Sequence, residues 1–205
     1  MYARGHVGVG LLIYAPILAI LLAAGDFFAL AVVGWGLTVF HATLPDIDIK
    51  IPGIPHRGPT HTLWFAVLVG IVNGMAAGIV AAEYASGGGF ASPVWSGQIG
   101  SVLAPAAALA ADISPGLVGL FAGCFVGAVC ALAIVSHILG DVLTPMGVRP
   151  FTPFSSAKYT INVTKAANRP ANALLHYVGQ GAVVAAIFLG SPQARRLLFD
   201  LLSVS

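Results

Sequence analysis

Apolar residues fall into five runs along the chain, 7–24, 27–44, 63–82, 117–139 and 172–189, each bounded by polar or turn-forming residues. A helix needs roughly 20 mostly apolar residues to cross a bilayer. The pattern predicts an all-α, polytopic transmembrane helix bundle of about five spans, folded as a single integral membrane domain over 1–205. Pro16 interrupts the first run, which membrane helices tolerate where neighbouring groups satisfy the freed carbonyl. A cleaved signal peptide is the alternative for that run, with Arg4 before it and Ala23-Ala24-Gly25 after it; the second run begins almost at once, which favours a retained span. Thr60 stands where the N-cap of the third run should sit.

Between 86 and 115 the sequence turns to Gly, Ser and Pro around an Ala-rich piece at 101–111. Eleven residues are too few to span, so this piece predicts a re-entrant or interfacial helix. From Pro192 the tail alternates Arg195-Arg196 with Leu197, Leu198, Phe199, Leu201 and Leu202, the pattern of an amphipathic C-terminal helix lying in the membrane surface. Two glycine ladders, Gly70-Gly74-Gly78 and Gly119-Gly123-Gly127, carry the small-residue spacing that lets membrane helices approach closely.

Composition sharpens this picture. The 205 residues are 58% hydrophobic and 8% charged, against about 25% charged in an ordinary soluble domain, so a water-exposed surface cannot be built. A net charge of +2 with scattered Lys and Arg excludes a nucleic-acid footprint. Cys124 and Cys130 lie inside an apolar run on different helix faces and read as packing residues, not as metal ligands.

Lys and Arg in short loops mark the cytoplasmic side. Lys50 and Arg57 fall between runs two and three, and Arg149, Lys158, Lys165 and Arg169 between runs four and five, whereas the loop after run three has none. With Arg4 ahead of the first run, the N-terminus is expected inside a cytoplasmic (inner) membrane; only Arg195-Arg196 disagrees. On that topology His6, His41, His56, His61, His137 and His176 all fall at cytoplasmic ends, together with Asp46, Asp48 and Asp141. The opposite face has Asp26, Glu83, Asp112 and Asp200 but no histidine. Ionisable groups beside hydrocarbon are costly unless paired or coordinated, so this segregation points to a site.

His137 and Asp141, four apart near the end of a helix, share one face and could close on one ion or simply pair with each other. Asp46 and Asp48 flank Ile47; an extended segment would put both carboxylates on one side, as two ligands or as a ligand and a base. His56 and His61 flank a Gly-Pro turn with Arg57, whose guanidinium could hold a phosphate or carboxylate. His6 reads equally as a ligand or an interfacial histidine, and His41 and His176 as supporting residues.

In this order between apolar runs, Leu44-Pro45-Asp46-Ile47-Asp48, His56-Arg57-Gly58-Pro59-Thr60-His61 and His137-Ile138-Leu139-Gly140-Asp141, with Thr144-Pro145-Met146-Gly147, resemble the membrane-bound metal-dependent hydrolases, the LexA-binding, inner-membrane-associated hydrolase family. Gly5-His6 with Gly8 and Gly10 is similar to that family's opening motif, without its usual preceding threonine. The likeness covers about residues 1 to 155 and implies a multi-span hydrolase with metal ligands at Asp46, Asp48, His56, His61, His137, Asp141 and, less surely, His6. The His-x-x-x-Asp step also resembles zinc-dependent phospholipase C, which suggests phosphoester substrates.

Six or seven nitrogen and oxygen ligands exceed the four of one tetrahedral zinc, and mixed imidazole and carboxylate ligands suit zinc, manganese or iron. The expected centre holds two divalent ions, zinc foremost, that activate a water between them. Arg57 would neutralise a phosphate, and Asp46 or Asp48 would take the water's proton. Expected partners are the lipid bilayer and a lipid or other phosphoester at the cytoplasmic surface, with no nucleic acid and any protein partner left open. Two other classes compete: a cation transporter or channel, for which only Thr38, Asn73 and Gln180 offer polarity along the spans, and a non-catalytic adaptor whose metal is structural.

Overall fold

The computed structural model describes residues 1–25, 27–86 and 113–203. The predicted re-entrant helix at 101–111, Asp26 and Asp112 lie outside the described residues. Among the described residues six α-helices follow in order: α1 Ala3–Ala23, α2 Phe28–His41, α3 Leu63–Ala85, α4 Pro115–Val142, α5 Arg169–Gly190 and α6 Pro192–Ser203, with short 3-10 segments at Leu44–Lys50 and Pro59–His61 between α2 and α3. Among the described residues there is no strand, only an isolated bridge between Val148 and Tyr159. Five segments among the described residues are long and apolar enough to cross a membrane, Ala3–Ala23, Phe28–Lys50, Leu63–Ala85, Pro115–Val142 and Arg169–Gly190. The chain is an all-α, multi-pass membrane protein, as its hydropathy predicts, and the tail after Pro192 is helical.

Helix association in lipid rests on close van der Waals packing, because lipid tails are as apolar as the side chains. The two glycine ladders supply it by meeting each other. A Cβ built on Gly70 would come to 2.8 Å from the Gly127 carbonyl oxygen, on Gly74 to 2.7 Å from that of Gly123, and on Gly78 to 2.9 Å from that of Gly119. This reciprocal, reversed order makes α3 and α4 an antiparallel pair. A second close pair, α1 with α5, meets at Gly8 and Gly179, each against the other helix's backbone. Between the pairs, α2 packs on α1 and α4, and Tyr14 reaches across Gly34 to donate to the Ala31 carbonyl at 2.9 Å. Trp64, Leu68, Ile71, Met75 and Ile79 stay exposed at three- and four-residue spacing along α3, the face left for lipid.

Three local expectations change. The N-cap of α3 is Thr62, whose hydroxyl accepts from the Phe65 N–H at 3.2 Å, not Thr60. Cys130 is buried, but Cys124 sits on an exposed face, and both are free thiols. Leu44–Lys50 is a 3-10 segment and not extended, with Pro45 setting its first turn. At the same end of the bundle, the stretch after α4 folds back over the helix ends. The Leu63 N–H donates to the Pro150 carbonyl at 2.9 Å, and the Thr160 hydroxyl to the Thr144 carbonyl at 2.6 Å.

Candidate metal centre

Three residues make one turn of a 3-10 helix, so side chains two apart are turned by about 240°. Asp46 and Asp48 consequently face different neighbours. Asp48 points inward and is fully buried. Its carboxylate accepts from the backbone N–H of Arg57 at 2.9 Å and from the Thr60 hydroxyl at 3.0 Å, and its oxygens lie 2.9 Å from His56 Nδ1 and 3.2 Å from His61 Nδ1. Asp46, 21% exposed, instead places Oδ1 3.5 Å from His137 Nε2 and 3.6 Å from His61 Nε2. The two carboxylates therefore do not share one side, as an extended segment would require.

The imidazoles are oriented from outside. His137 Nδ1 lies 2.8 Å from the Ala42 carbonyl oxygen, which can only accept, so the ring proton sits on Nδ1 and the Nε2 lone pair faces inward. The same reasoning applies to His61, held at Nδ1 by Asp48, and to His56 on the other Asp48 oxygen. His61 Nε2 and His137 Nε2 then confront each other at 3.1 Å. Two lone pairs cannot bond each other; a cation between or beside them removes the conflict.

His6, on the first turns of α1, stacks on His137 with ring centroids 3.6 Å apart and 9° between planes. It is fully buried, and neither ring nitrogen has a hydrogen-bond partner among the described residues. Gly140 makes room for it, since a Cβ there would stand 3.0 Å from His6 Nδ1. Asp141, one helical turn beyond His137, is also fully buried. Its Oδ1 receives the Arg57 guanidinium at 2.7 Å and the Met1 amine at 2.8 Å, while Oδ2 has no hydrogen bond and lies 3.5 Å from His61 Nε2.

The inward atoms thus include acceptors that no donor reaches: Asp46 Oδ1, Asp141 Oδ2, Nε2 of His61 and of His137, and one of the two unpartnered nitrogens of His6, the other carrying the ring proton. Apart from the 3.1 Å between His61 Nε2 and His137 Nε2, their nitrogen–oxygen separations of 3.5 to 3.8 Å are too long for good hydrogen bonds. Atoms about 2.0–2.2 Å from a zinc ion at tetrahedral angles lie about 3.3–3.6 Å apart, so the residues present fit a divalent ion. They form three overlapping triads, His6-Asp46-His137, Asp46-His56-His61 and His61-His137-Asp141.

Of the residues singled out in the sequence, His6, Asp46, His56, His61, His137 and Asp141 come together, and Asp48 stands behind two of them as their anchor. Arg57 is present but committed. Beyond Asp141, its guanidinium donates to the Thr144 hydroxyl and the Gly147 carbonyl, both at 3.0 Å, and its side chain is 7% exposed. Its backbone, at φ 63°, lies in the left-handed region that costs a non-glycine residue about 1 kcal/mol or more. His41 turns to its own helix, with Nδ1 2.9 Å from the Leu37 carbonyl, and His176 joins no triad. Sequence reasoning missed Thr60, Thr144, Gly140 and the Ala42 carbonyl. Only the adjacency of Thr60 to His61 and of Gly140 to Asp141 hinted at them.

A family model described as YdjM inner membrane protein matches residues 1–203. No curated protein and no solved structure gives a match.

Proposed function

The chain belongs to the YdjM inner membrane protein family, and we propose that within it this protein is a metal-dependent hydrolase acting on a phosphoester at the cytoplasmic face of the membrane. The observation that carries this reading is the inward-facing set of acceptor atoms that no protein donor satisfies, built around His61 Nε2 and His137 Nε2 at 3.1 Å. The overlapping triads suit a pair of divalent ions, zinc foremost with manganese or iron as alternatives. When bound, such ions supply Lewis-acid polarisation of a phosphoryl oxygen and of water.

The chain's own residues have separate tasks in this scheme. Asp48 holds His56 and His61 in one tautomer, and the Ala42 carbonyl does the same for His137. Arg57 fixes Asp141 and balances its charge. Asp46 is the carboxylate that reaches both the cluster and solvent, being partly exposed where Asp48 and Asp141 are not, so it is placed to take a proton from an attacking water. Partly exposed His56 marks the open side through which substrate enters. Against transport, Thr38 and Asn73 are satisfied by carbonyls of their own helices, at 2.8 and 2.9 Å.

Two measurements on purified protein test this proposal: metal content by mass spectrometry, and hydrolysis of a lipid and nucleotide phosphoester panel with Zn²⁺ and Mn²⁺. Wild type is expected to retain metal and cleave at least one phosphoester, and a double His61→Ala, Asp141→Ala variant to lose both. A metal-free wild type whose stability ignores chelators would falsify the metal centre.

A further inference from the structure

With Arg57 tied to Asp141, Thr144 and Gly147, something else must receive a substrate's negative charge. Arg57 lines one wall of a recess of about 210 Å³ beside His56, and two further cations, Arg149 and Lys158, line the same recess. Both are exposed, and among the described residues neither side chain has a hydrogen bond or ion pair. Free guanidinium and ammonium groups next to a buried cation are an anion-receiving arrangement.

His56 also borders a second recess, of about 460 Å³, whose wall is aliphatic at Ile49, Ile51 and Ile54. Ile49 and Ile51, at the end of the second span and just past it, are 65% and 40% exposed. His56 therefore lines both a cationic hollow and a largely aliphatic one, to which Lys50 and the buried Asp48 also contribute, at the end of the bundle that holds the acceptor cluster. We infer that Arg149 and Lys158, not Arg57, receive the phosphoryl group, and that Ile49 and Ile51 receive an alkyl chain: the ligand is an anionic phosphoester amphiphile laid across His56. This inference rests on the hydrolase reading for its chemistry but not for its binding.

Hexyl phosphate and glycerol phosphate are suitable water-soluble probes, titrated calorimetrically into full-length protein in a maltoside detergent after chelation. Hexyl phosphate is expected to bind the tighter of the two. Arg149→Gln and Lys158→Gln should each weaken both probes about tenfold. Ile49→Ser with Ile51→Ser should weaken hexyl phosphate about tenfold and leave glycerol phosphate unchanged. Elution volume and melting temperature matching wild type establish that the variants fold. Absence of hexyl phosphate binding to wild type, or unaltered binding to the charge variants, overturns the inference. Equal affinity for the two probes with no response to the isoleucine changes assigns the recess to a soluble phosphoester and overturns the lipid assignment. If wild type holds no metal and cleaves nothing while the charge variants still weaken hexyl phosphate, the hydrolase reading fails and the binding site stands.

Discussion

Asp48 illustrates how a residue can matter to a candidate metal site by orienting the histidines around it. Both oxygens are occupied by His56, His61, Thr60 and the Arg57 N–H. Removing an outer carboxylate of this kind costs about 10- to 100-fold in metal affinity. Asp48→Ala is therefore expected to weaken zinc binding by that factor in a chelator-competition titration, whereas an unchanged affinity would show that the histidines orient themselves. The sequence makes the convergence of Asp46, His56, His61, His137 and Asp141 legible, because order and spacing place them all at one end of the spans. The division of labour is not legible. Whether Asp46 and Asp48 share a side depends on one local choice, 3-10 against extended, and Arg57's commitment depends on Asp141, 84 residues away. Neither leaves a mark on the residues' own neighbourhoods.

At the level of helices, the α3–α4 seam is a backbone contact that any side chain would pry apart. Gly74→Val places its Cβ against the Gly123 carbonyl and should cost about 1–3 kcal/mol, the usual penalty for overpacking. A thermal melt in detergent should register the loss. Gly36→Val, where a Cβ meets nothing within 4 Å, is the matched control and should melt like wild type. The spans themselves are plain in the sequence because twenty apolar residues are a strong signal. The ladders are equally plain, since three glycines four apart repeat. Gly8 against Gly179 is not: each is a single glycine, and their meeting depends on how α1 and α5 are brought together. The 3-10 segments escape notice for a related reason, being too short for any periodicity to accumulate.

For the molecule as a whole, the proposal makes fold and metal one equilibrium. A ligand present at 100 times its dissociation constant stabilises the state it binds by about 2.7 kcal/mol. Stripping the ion with a chelator should lower the melting temperature, and restoring Zn²⁺ should raise it again; identical melts would argue that the cluster is empty in solution. The candidate ligands are drawn from α1, from the turns after α2 and from α4, and span residues 6 to 141. No early fragment of the chain can complete a triad that includes His137: a nascent chain halted after its third span would carry His6, Asp46, His56 and His61 but lack the helix that closes the ring. Under the proposed function, Asp46-His56-His61 is the one triad complete before α4, so full loading of a two-ion centre is a late step of biogenesis, gated by insertion of the α4 hairpin arm. A half-inserted polypeptide, lacking that helix, would hold one ion at most and so remain catalytically silent until the membrane machinery has released it.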